Sequence, residues 1–327
     1  MECEVIVHMG LPKTGTSFLQ KKFFRNLEGV EYYDDHSTIF EVIRLLPNLS
    51  HETDMSEIKA KIDDYIIETG IRKLIISNEF LFGHPLHNYW NHSMLLNNIK
   101  TLFPNANLVV VVRNQVDFFE SLFKFAIKLG YPKRKNDFFR ISHGEFLPWS
   151  YKAGVNASLL SLDYERLFTP FLEKFEKGKI HILPYEEFRE NPAGFLAKIA
   201  GVVGVPTLTV DHQKRENSSL NSLQIKLLLL LNRGFKNQLS NGYGLIKANP
   251  FRSYALRHFK KSILARILLN ISNLIQPASL VKPFGFGRSK YVVFSPEEKA
   301  RIMNLYAGSN ERFDVQFGLD LKRYGYY

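Results

Sequence analysis

Four short apolar runs punctuate the chain, at residues 5–9, 74–77, 108–112 and 180–183. Each is unbroken and rich in Val, Ile or Leu. A strand with one wet face would alternate apolar and polar positions. An unbroken run instead marks a strand covered on both faces, as in a parallel sheet. Between the runs, apolar residues recur at helical spacing over 17–26, 58–68, 93–102, 116–129 and 164–175. Strands that alternate with helices predict βαβ units, and hence an α/β fold of three layers around a central parallel sheet.

Beyond the fourth run the pattern changes. Asn191-Pro192 opens a helix expected to reach Ile199 and to end near Gly201 and Gly204. Residues 220–232 and 254–275 read as amphipathic helices joined by Gly, Asn and Pro turns. Ser295 is placed to cap a last helix that starts at Pro296 and runs to the neighbourhood of Ala307. The expected organisation is a core over 1–216, a helical segment over 217–296 and a C-terminal helix over 297–327 packed on the core, all in one compact domain.

Composition adds bounds. The 327 residues are 45% hydrophobic and 13% aromatic, enough for a sizeable core and too apolar for global disorder. Cys3 is the one cysteine, which excludes an internal disulfide and suits a reducing compartment. The opening MECEVIVHMG lacks the basic start and long apolar stretch of a secretory signal, and no run approaches the roughly 18 apolar residues of a membrane span. A cytoplasmic protein is expected, with attachment to a membrane surface left open.

Charge is regional. Residues 217–296 hold no Asp or Glu but twelve Lys and Arg, so of the net +11 the rest of the chain carries −1. This points to an anionic partner at one place rather than a uniformly basic coat.

The first apolar run leads into Gly10-Leu11-Pro12-Lys13-Thr14-Gly15-Thr16-Ser17 and then a helix. A glycine-bearing turn between a strand and a helix is an anion site, because backbone N–H groups and the helix dipole converge there. The two glycines have P-loop spacing. The P-loop lysine, however, should follow the second glycine, where this chain has Thr16. Its lysine lies inside the loop, at Lys13, and would meet an anion near the bridge to its leaving group rather than the outer phosphates of a nucleoside triphosphate.

A second anion site follows the third run. Arg113 ends that strand, and Asn114 and Ser121, seven residues apart, share a face of the next helix. Arg113 and Ser121 can thus converge on one phosphate, for which the two-pronged guanidinium is suited. A candidate base stands at the end of the second run, in Ser77-Asn78-Glu79. Ligands of open α/β sheets bind beyond the carboxyl ends of the strands, so Glu79 is expected in the same crevice as Lys13 and Arg113. His84 and His87 are the alternative bases. His8, inside the first run, reads as a packed or hydrogen-bonded core residue.

Pro12 to Ser17 resembles the 5′-phosphosulfate loop of the sulfotransferases, which use 3′-phosphoadenosine-5′-phosphosulfate (PAPS) and release PAP. The resemblance implies an α/β fold of the P-loop nucleotide-binding type with a helical, basic C-terminal portion. It implies that Lys13 contacts the phosphosulfate and stabilises the leaving phosphate, with Thr14, Gly15, Thr16 and Ser17 supplying donors. Arg113 with Ser121 resembles the family's 3′-phosphate site, and Glu79 its carbohydrate branch, in which a glutamate is the base. Tyr185, in Ile182-Leu-Pro-Tyr185, resembles a tyrosine near adenine and reads equally as a core aromatic. Arg215, Asn217 and Ser218 resemble a loop that closes over the nucleotide in bacterial relatives. A weaker echo lies in Ala307 to Arg312.

The function expected is sulfuryl transfer to the hydroxyl of a carbohydrate, with a small molecule or lipid as the alternative acceptor. The segment 217–296 would face an anionic or neutral glycan, or an anionic membrane surface through residues 259–275. A P-loop kinase and a non-catalytic basic module are the competing classes. No metal-ligand cluster and no nucleic-acid-binding motif is visible in the sequence.

Overall fold

The computed structural model describes residues 3–33, 54–208, 220–236, 239, 246–247, 277–285 and 289–327. Arg215, Asn217 and Ser218 lie outside the described residues, as does the expected helix over 254–275. The chain forms two compact units. One comprises Met1–Phe118, Leu162–Glu216 and Arg301–Tyr327; the other comprises Phe119–Ser161 and Asn217–Ala300.

The first unit is built on five parallel strands: β1 (Glu4–His8), β2 (Glu31–Tyr33), β3 (Lys73–Ser77), β4 (Asn107–Val112) and β5 (Ile180–Pro184). Their order across the sheet is β2-β3-β1-β4-β5. Successive strands are added on one side of β1 and then on the other, so the topological switch falls at β1, where such folds open their ligand crevice. Four of the strands sit where the unbroken apolar runs predict. The apolar pattern does not announce β2: it is three residues long, pairs only with β3, and carries no run of its own.

Burial on both faces explains the unbroken runs. Ile6, Ile75, Val109, Val111 and Leu183 pack into one core with Phe18, Phe23 and Phe24 and with Phe195, Leu196 and Ile199 of helix Pro192–Val203. The intervening Val5, Val7, Leu74, Ile76, Leu108 and Val110 are buried as well. The result is the three-layer α/β arrangement.

Helix ends follow local chemistry. Asn191 caps Pro192–Val203 by accepting from the Gly194 N–H, and Gly204 closes it at φ 67°. In the second unit Ser295 and Glu298 exchange side-chain and backbone bonds at the start of helix Pro296–Phe317. That helix overruns the end expected near Ala307. Gly308, Ser309 and Asn310 weaken a helix by propensity, but here Asn310 is fully buried. Its amide bonds Gln115 at 2.7 and 3.1 Å and the Tyr326 carbonyl at 2.8 Å. Tertiary bonds outweigh a propensity cost of about 1 kcal/mol for the glycine and roughly half that for Ser or Asn.

Candidate active site

The loop between β1 and the next helix has an unusual backbone. Lys13 lies at φ 71° and Gly15 at φ 83°. Gly15 precedes the helical turns, and its carbonyl accepts from Phe18 and Leu19 at 2.9 and 3.1 Å. The chain then runs as an α turn (Thr16–Phe18), a wider π turn (Leu19–Phe23) and a tight 3₁₀ turn (Phe24–Asn26). Gly10 is required by close approach: a Cβ there would lie 2.5 Å from Thr16 Oγ1. Thr14 is buried, and its hydroxyl donates to the Leu11 carbonyl, bracing the loop from within. Lys13 and Ser17 are half-buried.

Arg113, just past β4, meets this loop. Its Nη1 donates to the Lys13 carbonyl at 2.7 Å, and its guanidinium lies 4.9 Å from the ring centre of Tyr185. Asp117 stands 3.8 Å from both Arg113 and Arg189. The main chain of Arg113 is pinned by Tyr164, whose hydroxyl accepts from the Arg113 N–H and donates to its carbonyl. Asn114 N–H donates to buried Glu186, which also accepts from Tyr326. Burial raises the Glu186 carboxyl above its ordinary range. Tyr164, Glu186 and Tyr326 form the support of the Arg113 corner. Sequence reading misses them, because their partners are distant in the chain.

Glu79 opens the 3₁₀ turn Glu79–Phe82 directly beyond β3, capped by the Asn78 side chain. It is half-buried. Burial raises its carboxyl above the ordinary value, and the charge of Lys13 partly opposes the rise. His84 stacks on Phe80 and lies 4.6 Å from His87, ring to ring. Burial and the neighbouring imidazole push His84 down to about 4. His87 is exposed.

The structure thus brings Lys13, Thr14, Gly15, Thr16, Arg113 and Tyr185 together, with Glu79 within reach of the Lys13 charge. Ser121 lies on helix Gln115–Lys128, in the second unit. Arg312, in the weaker echo, is occupied by a two-pronged pair with Glu165 at 2.7 Å.

These residues fit a nucleotide carrying a phosphosulfate. The loop offers a lysine, the Ser17 hydroxyl and, at Gly10, a position where a Cβ would press on Thr16 Oγ1. Arg113 Nε is buried and has no hydrogen-bond partner among the described residues, leaving a donor for an anion. Among the described residues no group of three or more His, Cys, Asp or Glu is placed to hold a metal, and no helix is long and apolar enough to cross a membrane.

A strand–loop–helix anion cradle at the switch point of a parallel sheet defines a nucleotide-binding α/β transferase. Residues 4–228 match the family model for the sulfotransferase domain. The chain belongs to the sulfotransferase family, an enzyme family whose donor is PAPS. This sets aside the kinase and the non-catalytic module. No curated protein sequence matches the chain. Solved structures that the chain is similar to include a sulfotransferase from Alicyclobacillus acidocaldarius, at 17% identity over 71% of this chain and 93% of that one, TM-score 0.40. A sulfotransferase domain from the curacin biosynthetic pathway gives 13% over 94% and 99%, TM-score 0.37. Mouse sulfotransferase SULT7A1 complexed with PAP gives 14% over 83% and 89%, TM-score 0.30. At these values membership rests on the family model.

Proposed function

We propose that this sulfotransferase moves the sulfuryl group of PAPS to a carbohydrate hydroxyl, with Glu79 as general base and Lys13 at the leaving phosphate. The acceptor oxygen attacks sulfur in line as the bond from sulfur to the phosphate oxygen breaks. Glu79 takes the acceptor proton, and Lys13 offsets the charge left on PAP. Arg113 holds the 3′-phosphate, and Tyr185 faces the adenine.

The observation that carries the base is the place of Glu79, half-buried directly beyond the end of β3, where the Lys13 charge acts on its carboxyl. A raised carboxyl close to the loop lysine is a stronger proton acceptor than an imidazole pushed down to about 4, so Glu79 is favoured over His84. For a carbohydrate the support is regional charge. In the second unit Arg233 lines a cleft of about 340 Å³ with Lys133, Arg134, Asp137 and Pro132, a setting suited to an acidic saccharide.

Two measurements test this reading. Glu79→Gln should bind PAP like the parent and lose about 10²–10⁴-fold in turnover, the usual contribution of a positioned base. Unchanged turnover would remove Glu79. Sulfate incorporation from PAPS should favour uronate-bearing or sulfated oligosaccharides over phenols and lipid alcohols. The reverse preference would replace the carbohydrate by a small molecule or lipid.

A further inference from the structure

His8 ends β1 and pairs in register with Ser77, which ends β3. Both sit at the carboxyl edge of the sheet. His8 is fully buried, and its Nδ1 lies 2.7 Å from the Ser77 hydroxyl. Gln20, on the helical turns after the phosphosulfate loop, reaches the same residue. Its amide nitrogen lies 3.1 Å from the Ser77 carbonyl and 3.2 Å from the Ser77 hydroxyl. A carbonyl only accepts, so the amide end facing it is the nitrogen. Gln20 donates to the hydroxyl as well, and the hydroxyl's own hydrogen is left for Nδ1. His8 is then the tautomer with its hydrogen on Nε2.

The main chain makes a parallel tie. The Asn78 N–H donates to the His8 carbonyl at 3.2 Å. The Asn78 side chain in turn accepts from the Phe80 N–H at 2.8 Å, capping the turn that Glu79 opens. One residue of β1 therefore holds the last residue of β3 by its side chain and the next by its backbone. Glu79 is one residue further on.

Packing alone does not account for a histidine here. Burial pushes the imidazole down to about 3, so it is neutral. Its Nε2 has no hydrogen-bond partner among the described residues. A leucine or phenylalanine would fill the space without desolvating two ring nitrogens. The ring also borders the loop: a Cβ on Gly10 would lie 3.3 Å from its Cε1 and 3.4 Å from Nε2.

We infer that His8, Ser77 and Gln20 form a positioning clamp, which holds the start of the Glu79 turn at a set distance from the phosphosulfate loop. The clamp acts through Glu79, so it rests on Glu79 being the base. Lys13 reaches the site from the loop that begins two residues after His8, and Gln20 follows that same loop. The clamp thus fixes base and leaving-group lysine to one origin.

The test uses the full chain, with PAP binding by calorimetry and PAP release from PAPS with water as acceptor. Ser77→Ala and Gln20→Ala should lower kcat about ten- to hundredfold, the scale of a small misplacement, with PAP affinity within about threefold of the parent. His8→Asn keeps a polar atom at the δ position and should retain more rate than His8→Leu. In a Glu79→Gln background, Ser77→Ala should cause no further loss. Rate and PAP affinity falling together would overturn the clamp, as would an unchanged kcat in Ser77→Ala. Additive losses with Glu79→Gln would overturn the clamp alone, whereas full turnover in Glu79→Gln itself would remove the base and the clamp with it.

Discussion

Arg113 Nη1 donates to the main-chain carbonyl of Lys13 across 2.7 Å, joining the residue after β4 to the loop after β1. The arginine thereby shapes the backbone that presents the lysine, as well as offering its own charge. Arg113→Ala should weaken PAP binding by about 2–3 kcal/mol, roughly 30- to 150-fold, the cost of a lost charged hydrogen bond. Arg113→Lys should recover little, because an ammonium reproduces neither the two-pronged geometry nor the contact with the Tyr185 ring. Calorimetry with PAP distinguishes the two variants; equal affinity in Arg113→Lys and the parent would contradict this role.

Gly10→Ala should disturb the loop without touching a charged group. Its Cβ would fall 2.5 Å from Thr16 Oγ1, and such overpacking costs about 1–3 kcal/mol. Adding Thr16→Ala makes room, so the double variant should melt higher than Gly10→Ala alone. Melting curves decide it, and a double variant no more stable than the single one would refute the steric account.

The half-buried carboxyl of Glu79 gives a pH prediction. Its folded-state value stands above the unfolded one, so the stability it contributes is present in acid and lost as pH rises through the folded value. Glu79→Gln should therefore melt higher than the parent at neutral pH, and the gain should vanish toward about pH 4. Turnover of the parent should rise with pH through the same raised value, and that limb should be missing from Glu79→Gln. His8 behaves oppositely. Its folded value is about 3 against an ordinary value near 6.5, so its contribution is complete above pH 6.5 and lost as pH falls toward 3. Thermal melts of His8→Asn should show a shallower loss over that window.

Asn310→Ala probes the long C-terminal helix. It strands the buried Gln115 side chain, which keeps only a 3.3 Å bond to the Leu162 carbonyl, and frees the Tyr326 carbonyl. A stability loss of about 2–4 kcal/mol is expected in urea unfolding, the penalty for unsatisfied buried polar groups. A loss below about 0.5 kcal/mol would mean that propensity alone sets the helix length.

Much of this arrangement is legible in the order of the residues alone. Val109 to Val112 announces a strand covered on both faces, and Lys13 between Gly10 and Gly15 announces an anion loop unlike a P-loop. Glu79 is found by asking what lies past a strand end. β2 escapes because Glu31, Tyr32 and Tyr33 are too few to show a period, and pairing with β3 is what makes them a strand. The helix past Gly308 escapes because its support comes from Gln115, nearly two hundred residues away. His8 is half legible: an imidazole in an apolar strand reads as core, and only the register with Ser77 reveals what it holds.

Lys13 keeps a left-handed backbone at φ 71°, a conformation that glycine adopts freely and that costs other residues about 1–3 kcal/mol. Folding and chemistry ask for different residues at this position. Lys13→Gly should thus give a chain that is sturdier and inert, a rare substitution in which losing the enzyme improves the fold. Variants selected for thermal endurance alone would be expected to drift toward glycine here, and only a screen that also demands turnover would keep the lysine.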